Sequence, residues 1–255
     1  MAPAQPWPLT FKRECGDTRP RQPTPPPPPG VDENAATVRH KASPFMPAST
    51  TNKLGHRIGA RGGRTRAAIL EATRSLLDGR HLGEIRVADV AAAAGVSPSN
   101  FYTYFKSVEE PVLALCENAA IDFQPLARYL DGDWAGEQAF VSARAYVVDV
   151  LLFWREHGPV LRIEHMLADK GEAGFVESRV KRLRRIHLAF ERRIAQAHAT
   201  GYHAKGLDPR LTSYEVVNLV ESMAAGFDLL RRGDTPAESI LDTTAYIVVK
   251  IVTGR

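Results

Sequence analysis

The chain has 255 residues, 44% of them apolar and 24% charged, with a formal net charge of +4. That balance suits a chain able to bury a sizeable core. No stretch approaches the roughly 20 consecutive apolar residues that span a bilayer, and no hydrophobic leader opens the sequence, so the expectation is a cytoplasmic protein without membrane contact.

Charge is unevenly distributed: residues 1–61 carry +5, residues 62–108 carry +2 and residues 109–255 carry −3. A positive end joined to a mildly negative body suits a chain that presents one end to nucleic acid. Two cysteines, Cys15 and Cys116, supply neither a disulfide framework nor a metal-ligand spacing. Cys116 reads as a small buried hydrophobe.

Residues 1–60 hold 12 of the 18 prolines, including the run Pro25 to Pro29, and few large apolar side chains. Such a segment buries too little to offset its ordering entropy, which predicts a disordered tail with a polyproline II stretch. Met46 follows this tract, and a start of translation there is expected to leave the folded body intact, making residues 1–45 dispensable. The tail ends in HRIGARGGRTR, where His56, Arg57, Arg61, Arg64 and Arg66 stand among glycines. This predicts a flexible basic arm that reaches phosphates or a minor groove. A plain solvated linker is the alternative.

In the first predicted helix, Ile69, Ala72, Thr73, Leu76 and Leu77 form one stripe, ended by Asp78-Gly79. A second helix shows Val87, Val90, Ala91 and Ala94 at spacings of three and four. Gly95 follows where a left-handed C-terminal cap is needed. Val96 plugs the turn, and Ser97 then Pro98 make an N-cap followed by a first-turn proline. Beyond them Phe101 and Phe105 share a core face, while Ser99, Asn100 and Thr103 lie elsewhere on the helix. Residues 86–105 therefore read as two short helices held across a glycine turn. An αα-hairpin buried in a helical core also explains Gly95 and Phe105, but not the outward Tyr and Asn side chains.

The segment GVSPSNFYTYFKS resembles the recognition-helix signature of the TetR family of bacterial transcriptional repressors. The upstream RTRAAILEATRSLLDG resembles that family's first helix, and together the match covers roughly residues 63–123. The resemblance implies that Pro98, Ser99, Asn100 and Thr103 face base edges. Tyr102 and Tyr104 correspond to phosphate contacts, with Lys106 beside them in the polar linker. Asn100 is the residue best suited to direct readout, because an amide bonds adenine at two positions. Two departures stand out. Val108 replaces a lysine common in the family, and Arg86-Val87 stand where a threonine often begins the second helix. Arg86 is expected to substitute through its guanidinium, which suits phosphate.

Ser107 to Glu110 reads as a capping box with Pro111 in the first turn of a fourth helix running to about Leu130. Further helices are expected at Gly136–His157, Pro159–Asp169, Glu172–His198, Pro209–Arg231 and Pro236–Thr253. The aromatics Phe123, Tyr129, Trp134, Phe140, Tyr146, Phe153, Trp154 and Phe175 concentrate early in this region. The resemblance implies a ligand cavity there, and these side chains are its expected lining; a plain core is the alternative. In the last two helices Val216, Val220, Met223, Phe227, Leu241 and Val248 offer more apolar surface than a short bundle needs. By resemblance they form a dimer interface, and two recognition helices about 34 Å apart also call for a two-fold dimer.

His157, Glu164 and His165 are the nearest approach to a catalytic or metal cluster, but Glu164 and His165 are adjacent and diverge on a helix. No phosphate-binding loop, dinucleotide loop or nucleophile elbow is present, so no enzyme, metal or cofactor is expected. The expectation is an all-α chain with a disordered tail at 1–60, a helix-turn-helix DNA-binding domain at 63–123 and a ligand-binding and dimerisation domain at 124–255. Its function is then that of a ligand-responsive repressor, a homodimer that binds a palindromic double-stranded DNA operator and is released by a small hydrophobic effector. A helical small-molecule sensor with weak or no operator binding is the alternative.

Overall fold

The apolar stripes of the sequence become ten helices in the computed structural model, which describes residues 59–255. The expectations for the proline tract, Met46, His56 and Arg57 lie outside the described residues. The helices are α1 (Ala60–Leu77), α2 (Val87–Ala93), α3 (Pro98–Tyr104), α4 (Glu109–Phe123), α5 (Arg128–Asp131), α6 (Gly136–Asp169), α7 (Ala173–Ala199), α8 (Pro209–Ala225), α9 (Phe227–Leu230) and α10 (Ala237–Thr253). No strand occurs among the described residues, so the architecture is all-α.

Two apolar cores result. The first gathers Ile69, Leu70, Val90, Phe101, Phe105 and Val112, joined by Val160 and Ile163 of α6 and by Phe175 of α7. The second gathers Phe123, Tyr146, Phe190, Val216, Val220 and Val248. Helix α4 belongs to both. Its Val112, Leu115 and Cys116 pack in the first core, and its Ala119 and Phe123 pack in the second. Each fully buried large side chain is worth about 1.5–3 kcal/mol, so α4 cannot shift without disturbing contacts at both ends.

Four expectations need correction. The helices drawn on either side of Pro159 are one continuous helix, α6, with that proline inside it. Pro159 has no N–H to give the Arg155 carbonyl, a cost of about 3 kcal/mol, but Val160, Leu161 and Ile163 just beyond it are all buried and offset the loss. The capping box at Ser107 is absent. Glu110 instead accepts from the Lys106 backbone N–H at 2.6 Å, one residue earlier, and Val108 stands at the N-cap without a side-chain bond. Helix α4 ends at Phe123 rather than near Leu130, because Pro125 interrupts the ladder and Gln124–Ala127 tighten into a 3-10 turn before α5. Lastly, α1 begins at Ala60, so the part of the basic arm carrying Arg61, Arg64 and Arg66 is helical.

Candidate nucleic-acid interface and the core behind it

The turn between α2 and α3 is built as its residues require. Gly95 has φ +66°, the left-handed conformation closed to most side chains. The Gly95 N–H donates to the Ala92 carbonyl at 3.1 Å and the Val96 N–H to the Ala91 carbonyl at 2.9 Å, the paired bonds of a Schellman cap. Helix α3 starts at once: the Ser97 hydroxyl accepts from the Asn100 N–H at 3.1 Å, and Pro98 occupies the first turn. Seven residues are too few for a free helix, so packing must hold it. Phe101 is wholly buried and Phe105 nearly so, their rings 5.8 Å apart.

With those rings inward, the opposite face of α3 is open. Pro98, Ser99, Asn100, Tyr102 and Thr103 are exposed, Tyr104 is half-buried and Lys106 is exposed. The Thr103 hydroxyl is 3.5 Å from the Ser99 carbonyl, too long to tie it down. Arg86 and Arg64 are exposed as well. At the N-cap of α2, Asp89 accepts from the Arg86 backbone N–H at 2.8 Å, leaving the Arg86 side chain to solvent. That bond, with Arg80 nearby, holds the Asp89 carboxyl below its usual range.

Arg66 departs from expectation. It is only 6% exposed, its guanidinium lies 5.3 Å from the centre of the Phe105 ring, and burial pushes its pKa down. It supports α3 from beneath and does not reach outward. Val108, standing in the place of the family's lysine, is buried in the same core.

The aromatic residues expected to line a ligand cavity pack against other side chains of the bundle. Phe123 and Phe153 are 4.7 Å apart; Trp134 and Tyr146 each meet the Phe190 ring edge-on; Phe140 stacks on Tyr246 at 4.3 Å. Tyr129 donates its hydroxyl to Asp149 at 2.6 Å. Phe175 lies in the first core, which it shares with residues of α1 to α4 and α6. These rings close the bundle because α6 and α7, 34 and 27 residues long, leave wide faces to fill. For the same reason the expected dimer residues Val216, Val220, Met223, Phe227, Leu241 and Val248 are all buried within the chain's own core. The exposed large apolar side chains of α8 and α10 are Leu211, Tyr214, Tyr246 and Ile247, of which Tyr214 also meets His187 and Tyr246 also meets Phe140.

Behind α4, the bundle encloses charge that the sequence reading missed. Arg182 is fully buried and donates to Glu164 at 3.0 Å and to both oxygens of Glu221 at 3.1 and 2.9 Å. Ser178 donates to Glu164 at 2.7 Å and Trp154 to Glu221 at 3.1 Å. Glu164 and His165, adjacent in sequence and read as divergent, meet the same guanidinium, with His165 Nε2 3.1 Å from it. Burial opposes ionisation of Glu221, but Arg182, His165 and Trp154 overcome it and hold the carboxyl down to about 2. The Tyr146 hydroxyl is buried without a partner. His157, the third member of the expected cluster, faces Asp122 at 3.7 Å and is not hydrogen-bonded into the Arg182 network.

Two family models match this arrangement. "Bacterial regulatory proteins, tetR family" covers residues 69–115, and "Tetracyclin repressor-like, C-terminal domain" covers residues 127–255. No curated protein matches the chain. Among solved structures, AibR in complex with isovaleryl coenzyme A and operator DNA is 20% identical with a TM-score of 0.55, covering 72% of this chain and 97% of that one. The fatty acid degradation regulator FadR from Bacillus halodurans is 13% identical with a TM-score of 0.55, covering 76% and 97%. A TetR/AcrR regulator from Thermobifida fusca is 17% identical with a TM-score of 0.53, covering 72% and 96%. At such identities the likeness concerns the fold. With its N-terminal helices and its whole C-terminal body matched by the family's own models, this chain belongs to the TetR family of transcriptional regulators.

Proposed function

We propose that the protein is a dimeric, ligand-responsive repressor that lays α3 in the major groove of a palindromic operator. The observation that carries this reading is the division of α3: Phe101 and Phe105 anchor it inward, leaving Ser99, Asn100 and Thr103 free on the other side. Asn100 then reads base edges, while Tyr102, Tyr104, Lys106, Arg86 and Arg64 take phosphates. A second copy sits on the outer surface of α8 and α10, using exposed apolar side chains such as Leu211 and Ile247, and brings two α3 helices to half-site spacing.

Regulation runs through α4, which shares side chains with both cores. An effector that prefers a body geometry in which the two α3 helices no longer match the groove withdraws the protein from DNA. Operator and effector must then weaken each other by the same factor. The AibR structure, which holds both isovaleryl coenzyme A and operator DNA, supports only the pairing of a small-molecule ligand with DNA on this fold. A hydrophobic effector that enters between Phe123 and Phe153, whose rings are 4.7 Å apart, must part them when it binds.

The buried Val108 removes one customary phosphate contact and favours a second reading, a small-molecule sensor with weak operator binding. Fluorescence anisotropy on labelled duplex from the DNA flanking the protein's own gene separates the two. The repressor reading expects saturable binding of two chains per duplex and a steep salt dependence. Arg64→Ala should weaken operator and unrelated DNA alike and flatten the salt slope by about one. Binding that shows no preference over unrelated DNA at any salt concentration favours the sensor.

A further inference from the structure

We propose that the surface groove between α7 and the end of α4 binds a phosphorylated small molecule with a modest apolar portion. This deepens the reading of the chain as a ligand-responsive regulator and rests on it. The groove has a volume of about 320 Å³, at the small end of ligand sites. Lys181, Arg184, Arg185 and Arg192 line it against a single acid, Asp131. Their spacing along α7 places all four cations on one face, with Leu188 in their midst.

Two facts set this cluster apart. Residues 109–255 carry a net −3, so four cations to one acid runs against the local balance. Several arginines elsewhere are matched with carboxylates, Arg74 with Glu71, Arg128 with Asp149, Arg144 with Glu238 and Asp242, and Arg179 with Asp169, while others such as Arg231 and Arg232 stand at exposed positions without the groove's crowding. Among the described residues, none of the four groove cations forms an ion pair or donates a side-chain hydrogen bond. Crowded like charges repel, and a ligand with several negative oxygens relieves that repulsion. Adjacent guanidiniums hold such oxygens in paired hydrogen bonds better than one carboxylate can use. Leu188 is 50% exposed at the centre of the stripe, and Ala127 and Ala189 lie beneath. That apolar floor suits a ligand with carbon beside its phosphates.

The site also touches the lever. The Gln124 side chain lines the groove and donates to the Ala120 carbonyl at 3.0 Å and to the Lys181 and Arg182 carbonyls at 3.4 and 3.3 Å. It stitches the end of α4 to α7 at the residue whose side chain centres the buried ion network. An occupant that draws Lys181 and Arg185 together works on this stitch. Helix α4 spans 15 residues, roughly 22 Å at 1.5 Å per residue, which separates the groove from the α3 surface.

The test is calorimetric titration of the full-length protein with ADP, inorganic pyrophosphate and octanoate. Arg184→Gln/Arg185→Gln is compared with a control pair, Arg231→Gln/Arg232→Gln, at exposed arginines after α9. The wild type and the control are expected to bind ADP and pyrophosphate alike, and the groove variant about tenfold more weakly or worse. ADP should also lower operator affinity of the wild type but not of the groove variant. Equal ADP affinity in all three proteins, equal loss in the control, or binding of octanoate alone overturns the proposal. A fall in the groove variant's operator affinity without ADP assigns the stripe to the DNA backbone and overturns it too. Failure of the wild type to bind operator at all strikes the repressor reading instead, and the ADP comparison still decides the groove.

Discussion

Arg182→Met is expected to lower the free energy of unfolding by about 3–5 kcal/mol, because it leaves two carboxylates in the core without their common cation. Glu164 is 0% exposed and Glu221 5%, so neither can turn to water without opening the bundle. The same argument predicts that Arg182→Met combined with Glu164→Leu and Glu221→Leu recovers most of the loss, since an apolar replacement of a whole buried ion cluster is often near neutral. The measurement is the denaturant midpoint of the three proteins. A second axis comes from acid. The folded state holds Glu221 at about 2 against an ordinary value of 4.5, so it binds fewer protons there than the unfolded chain does. The contribution of Glu221 is fully present above pH 4.5 and is lost as pH falls toward 2. The triple variant, which carries Glu221→Leu, should lack this component of the acid transition. A loss under about 1 kcal/mol for Arg182→Met contradicts the enclosed-charge account.

Phe101→Ala should cost about 3–5 kcal/mol in the first core. Its ring is wholly buried and packs against both Phe105 and Tyr102. Because α3 is too short to persist unaided, the expected result is loss of operator binding together with faster amide exchange across α1 to α3. The second core, built around Phe190 and Val220, should keep its protection. Wild-type operator affinity in this variant contradicts the claim that Phe101 is what orients α3.

What could be read from sequence follows the range of the interactions. The cap at Gly95, the Ser97 N-cap and the inward pair Phe101 and Phe105 are encoded within eleven adjacent residues, and the structure has all of them. The buried ion network was not legible. Arg182 and Glu221 are 39 residues apart, and nothing local distinguishes Arg182 from the exposed arginines around it on α7. Arg66 failed for the same reason, since only the fold brings Phe105 beneath it. Periodicity in α8 and α10 marked the apolar face correctly but not what covers it. The covering turned out to be α6 and α7 rather than a second copy. Pro159 misled because the cost of a proline was weighed without the gain from Val160, Leu161 and Ile163 beyond it.

The central claim is that the free face of α3 reads sequence. It is tested most directly by measuring Asn100→Ala on operator and on scrambled duplex at matched salt. The account predicts that the ratio of the two affinities falls by about 5- to 150-fold, the equivalent of about 1–3 kcal/mol for a lost bidentate base contact, with scrambled-duplex affinity unchanged. Unchanged affinity with unchanged discrimination contradicts it.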